Sequence, residues 1–272
     1  MGRLVVFVAL TYLVSWAAWF GAGALAPGAT DPHGFVWSTL IYIGTFAPSL
    51  VAIALTAHEK GTAGLSALFA RLVKGEVRPR WFLFAFFYMF AIKLVVAAIY
   101  RATHDTWPAF GDEPIYLLIV ATIFSTMIFV QAGEELGWRG YLLPRLATRL
   151  GYAWSSIVVG VVWASWHLPL FYIAGADKTG QSFPIWALSV TAVSVAIAWL
   201  YVNTGGSLLL TMLMHAAVNN MGAIVPSATL GATNVWAFTG STTMMLTLVV
   251  LWVPAVWFLV KMARVPKPED ST

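Results

Sequence analysis

The chain has no cysteine and very little charge, and each shortage closes off a class of function. Without cysteine there is no disulfide, no thiolate metal site and no cysteine nucleophile. Only 10% of the 272 residues are charged, while 60% are hydrophobic. A soluble domain carries about 25% charged residues, so this composition describes an integral membrane protein. No internal repeat, low-complexity tract or soluble domain interrupts it, and the whole of 1–272 reads as a single membrane domain. The net charge of +4 is not a nucleic-acid signal, because the basic residues sit in short loops, where anionic lipid accounts for them. The expected partners are the lipid bilayer and a peptide or protein substrate, with no nucleic acid.

No run alternates apolar and polar residues in the manner of a barrel strand. Backbone groups in hydrocarbon must then be satisfied within helices, so the fold class is all-α, a polytopic membrane helix bundle. Windows of about 20 apolar residues fit a hydrocarbon core of about 30 Å. Eight such windows lie near 4–26, 36–57, 81–100, 115–133, 153–174, 183–203, 206–225 and 242–262. The first is too long for the apolar part of a signal peptide, and Pro27 spoils the apparent cleavage site after Ala24-Leu25-Ala26, so a retained helix is expected.

Loop charge sets orientation. One side carries Arg3, Lys60, Arg71, Lys74, Arg78, Arg80, Arg139, Arg145, Arg149, Lys261, Arg264 and Lys267, and the other only Arg101 and Lys178. Both termini are therefore expected to face the cytoplasm, with the protein in the plasma (inner) membrane. The connection over 58–80 has Leu65, Leu68, Phe69, Leu72 and Val73 among cations, the pattern of a short amphipathic surface helix. Tyr141 to Leu150 reads as a second one.

The few intramembrane polar residues define a candidate site. Glu134 and Glu135 close the fourth window, His167 and His215 lie inside later ones, and Lys93 is left within the third. An ionisable group at such depth costs on the order of 2.5–3.5 kcal/mol by insertion scales, so it needs a partner and a task. On a helix Glu135 and Arg139 are one turn apart and form an ion pair, while Glu134 points about 100° away. His215 and Asn219 share a face, as do Trp163 and His167, with the indole expected to stack on the imidazole. Pro169 should loosen or kink the span just past His167. Asn220 reads as interhelical glue, and Lys93 as a snorkelling side chain or a partner for a carboxylate or a helix carbonyl.

A free carboxylate beside an imidazole can deprotonate a water, and an imidazole with a carboxamide can donate to a developing oxyanion. The same four groups, Glu134, His167, His215 and Asn219, could instead ligate a divalent metal such as zinc. Either arrangement would hydrolyse an amide, with Glu135 and Arg139 supporting the helix that carries Glu134.

Glu-Glu-x-x-x-Arg (Glu134, Glu135, Arg139), aromatic-x-x-x-His (Trp163, His167) and His-x-x-x-Asn (His215, Asn219) resemble the three motifs of the CPBP family. That family comprises CAAX-type prenyl-protein endoproteases and bacteriocin-processing or self-immunity proteins. The resemblance covers about residues 115–225 by motif, with one departure, Trp163 where the family commonly has Phe. It implies a helical bundle with a cavity open to the cytoplasm. It also implies that Glu134 and His167 activate the water while His215 and Asn219 stabilise the oxyanion. The family has been classed as metalloproteases as well, which leaves the metal alternative open.

The expected function is an intramembrane endopeptidase acting on a membrane-associated protein or peptide, prenylated or not. Two alternatives stand beside it. One is a non-catalytic scaffold or bacteriocin immunity protein of the same fold. The other is a transporter, which predicts repeats or paired broken helices that the sequence lacks.

Overall fold

A computed structural model describes residues 2–25, 34–127, 130–227 and 234–269. These residues contain eight principal helices and no strand. They are α1 (Gly2–Leu25), α2 (Phe35–Ala70), α3 (Pro79–His104), α4 (Ile115–Met127), α5 (Ala132–Trp166), α6 (Phe183–Asn203), α7 (Leu208–Met221) and α8 (Thr242–Met262). Six are long and apolar enough to cross a membrane, and the all-α membrane bundle read from composition is borne out. The outer faces are apolar, with Leu13, Phe20, Val249 and Val253 exposed, as a lipid-facing surface requires.

Two windows are corrected. Among the described residues the fourth is helical over Ile115–Met127, and Glu134 belongs to the next helix rather than to the end of the fourth. At 13 residues α4 is about 20 Å long, short of a full crossing. The fifth window is the second half of α5, a run of 35 residues that does not continue straight. Gly151 sits at φ 72°, ψ 164°, a left-handed conformation that favours glycine, and there the helix turns back on itself. A straight rod would hold residues 134 and 163 about 44 Å apart. Instead the two side chains are hydrogen-bonded, and the rings of Trp138 and Trp166 lie 5.6 Å apart.

The segment before Gly151 is packed rather than superficial. Tyr141, Leu142, Leu143, Leu146 and Ala147 are buried, so the second surface helix expected there is an inner element. In the 58–80 connection helix continues to Ala70 after a break at Gly61 (φ 58°), and Leu68 turns inward toward Gly140 while Phe69 and Val73 stay exposed.

α7 is the central helix. Fourteen residues span about 21 Å, too short to cross hydrocarbon alone. It does not need to, because α3, α4, α5 and α6 all pack against it. Small residues allow close approach elsewhere: Gly160 faces Thr191 and Ser194, and Ser194 Oγ donates to the Ser156 carbonyl at 3.0 Å.

Candidate active site

The site is built where α2 fixes the start of α5. Ser49 of α2 donates to the Ala132 carbonyl, and Gly133 lies against the Phe46 ring. From Leu136 to Leu142 the helix widens into π geometry, with the Leu143 amide donating to the Trp138 carbonyl. Gly137 permits this wide turn to rest directly on Pro48. Such π segments recur at functional sites.

Within that frame the expected ion pair forms. Arg139 Nη1 donates to Glu135 Oε1 at 2.7 Å, and both side chains are fully buried. Arg139 is therefore not a loop cation, which corrects its place in the charge count: the helix carries it inward. Its guanidinium carbon lies 4.5 Å from the centroid of the Trp163 ring.

Glu135 does more than support its own helix. The same Oε1 lies 3.0 Å from His215 Nδ1 on α7, and a carboxylate there accepts the imidazole N–H. This contact was not read from the sequence, since the two residues are 80 apart and only the bundle joins them. With Nδ1 so engaged, Nε2 is the ring nitrogen of His215 left for another partner.

Glu134 is buried, and its Oε2 accepts from Trp163 Nε1 at 2.6 Å. No other hydrogen bond to the Glu134 carboxylate occurs among the described residues. His167 caps the end of α5 as Pro169 dictates, followed by a 3-10 turn over Leu168–Phe171. Its Nδ1 lies 2.8 Å from the Trp163 carbonyl, which can only accept, so Nδ1 carries the proton and Nε2 presents a basic lone pair. The rings of Trp163 and His167 are 6.0 Å apart at 60°, tilted rather than stacked as expected. Trp163 and His215 meet edge to face at 5.1 Å.

Trp163 is thus the meeting point of Glu134, His167, His215 and Arg139. Asn219, one turn past His215, is exposed, and its side chain makes no hydrogen bond among the described residues. Asn220 Nδ2 donates to the Ala216 carbonyl of its own helix at 2.8 Å, so it is not interhelical glue. Lys93 is 2% exposed and donates to the Val225 carbonyl at 2.9 Å, Ser227 Oγ at 2.8 Å and Thr247 Oγ1 at 3.3 Å. Its carbonyl partner lies in the segment after α7 rather than in a helix as expected, and the contact ties that segment to α3 and α8.

The metal alternative requires at least three donors within mutual reach. Among the described residues no three His, Asp or Glu side chains gather at ligating distance.

A buried carboxylate and two imidazoles meet around Trp163 inside a helical membrane bundle, groups of the kind that acid–base chemistry uses. Residues 116–221 match the family described as Type II CAAX prenyl endopeptidase Rce1-like. The CAAX prenyl protease 2 of Methanococcus maripaludis is 24% identical over 230 residues, covering 77% of this chain and 80% of that protein. Both comparisons bear out the resemblance read from the motifs, and the six long apolar helices make this an integral membrane protein.

Proposed function

We propose that the protein is an intramembrane endopeptidase that hydrolyses a peptide bond in a membrane-associated protein or peptide, with prenylated CAAX proteins as the first substrate class to test. The relative's name supplies that substrate class. The observation that carries the reading is the gathering of Glu134, His167 and His215 around Trp163.

In this scheme Glu134 is the general base and the His167 lone pair assists it. A water proton passes to the Glu134 carboxylate while the water oxygen bonds to the peptide carbonyl carbon. The carbonyl oxygen becomes an oxyanion, which takes hydrogen bonds from His215 and Asn219. Collapse of the adduct breaks the C–N bond, and Glu134 returns the proton to the departing amine. The bilayer is the plasma (inner) membrane, with both termini in the cytoplasm.

Purified protein in detergent, supplied with a prenylated CAAX peptide, tests this. Glu134→Gln should lower turnover by about 10²-fold or more while the protein remains folded. Cleavage by the wild type should survive exhaustive chelation. Near-normal turnover by a folded Glu134→Gln protein removes the base assignment. Loss on chelation, restored by one divalent ion, moves water activation to a metal.

A further inference from the structure

Trp163 touches both halves of the proposed base system through different atoms. Its indole N–H donates to Glu134 Oε2 at 2.6 Å, and its backbone carbonyl accepts from His167 Nδ1 at 2.8 Å. The ring is 4% exposed and clamped, with the Arg139 guanidinium 4.5 Å from its centroid and the His215 edge at 5.1 Å. We propose that Trp163 is a positioning residue for peptide hydrolysis, holding one carboxylate oxygen of Glu134 so that the other faces the water. The inference rests on Glu134 being the base.

A glutamate side chain turns about three bonds, and a base is effective only when its oxygen lies within hydrogen-bond reach of the proton it takes. Fixing Oε2 removes that freedom before the substrate arrives. Oε1, with no hydrogen bond among the described residues, is the oxygen left for chemistry. A hydrogen bond to an ionised oxygen is also among the stronger kinds, so it holds against rotation. Phenylalanine at this position would keep the ring contacts with Arg139 and the histidines but offer no N–H.

The competing explanation is that a buried indole N–H needs any acceptor and Glu134 happens to supply one. Trp163→Phe separates the two. Positioning requires kcat to fall by about tenfold to a hundredfold while KM stays within about twofold, since binding groups are untouched. In a Glu134→Gln background the same substitution should cause no further loss of kcat. Replacement of Trp163 by 3-benzothienylalanine, which exchanges the N–H for sulfur in a ring of similar shape, should reproduce the kcat loss and covers the case in which Trp163→Phe fails to fold. A folded Trp163→Phe or benzothienyl protein with unchanged kcat, or with raised KM alone, overturns the inference. If that happens while Glu134→Gln is inactive, the base assignment stands and only the role of Trp163 falls. If Glu134→Gln is active, the base assignment itself has failed.

Discussion

Glu135 is the residue on which most of the buried polar geometry turns. Its Oε1 serves Arg139 at 2.7 Å and His215 at 3.0 Å, with all three side chains nearly or fully buried. Removing it strands a guanidinium in an apolar interior, which costs about 3–5 kcal/mol when one member of a buried pair is lost. Glu135→Ala should therefore unfold at a markedly lower temperature in detergent. Combined replacement by Glu135→Leu and Arg139→Met removes the stranded charge, and most of the stability should return. Turnover should stay low, because His215 has lost its acceptor. A double variant as active as wild type would show that His215 needs no carboxylate. The ion pair itself was legible in the sequence, since i and i+4 are neighbours on any helix. The bonds from Glu135 to His215 and from Trp163 to Glu134 were not. Trp163 was read as an aromatic surface alone, and its N–H gained meaning only when Glu134 was placed beside it.

At the level of elements, hydropathy windows measure apolar length but carry no direction. They found a crossing near 115–133, closed by Glu134 and Glu135, and another near 153–174. The structure differs because α4 stops at Met127 and α5 starts before Glu134, then reverses at Gly151. That reversal brings Glu134 level with Trp163, removing the depth mismatch that straight spans would impose. The one available signal was Gly151 itself, a helix-weakening residue within an otherwise helical pattern. A Cβ there meets nothing nearer than Lys267 Cγ at 3.9 Å, so any penalty comes from the backbone alone. With φ at 72°, Gly151→Ala should cost about 1–3 kcal/mol, read as a fall in the unfolding midpoint. An unchanged midpoint would mean that the turn relaxes into an α-compatible geometry. α7 was likewise legible as a helix, yet its enclosure by four neighbours could not be inferred from its own composition.

Across the whole molecule, charge remains the feature that decides orientation. Removing Arg139 from the loop cations leaves the bias intact, because Arg3, Arg71, Lys74, Arg145, Arg149 and Lys267 all take part in contacts that join chain segments at one end of the bundle. Arg3 and Arg145 approach Glu59, Lys74 donates to the Gly205 carbonyl, and Lys267 donates to the Arg149 carbonyl. The far end holds Arg101 with Asp105 and Lys178 with Asp177, each cation matched by its own neighbour. Cytoplasmic loops retain excess Lys and Arg, so the first end should face the cytoplasm. The lack of any cysteine makes this testable with no background labelling. Single cysteines replacing Gly2, Trp107 or Glu269 would be exposed to a membrane-impermeant maleimide in intact cells and again after permeabilisation. Trp107, in the loop between α3 and α4, should label in intact cells. Gly2 and Glu269 should label only once the membrane is opened. The reverse pattern would invert the bundle and put the basic end outside. Labelling of Gly2 and Glu269 from opposite sides would mean an odd number of crossings and would overturn the placement of both termini on one side.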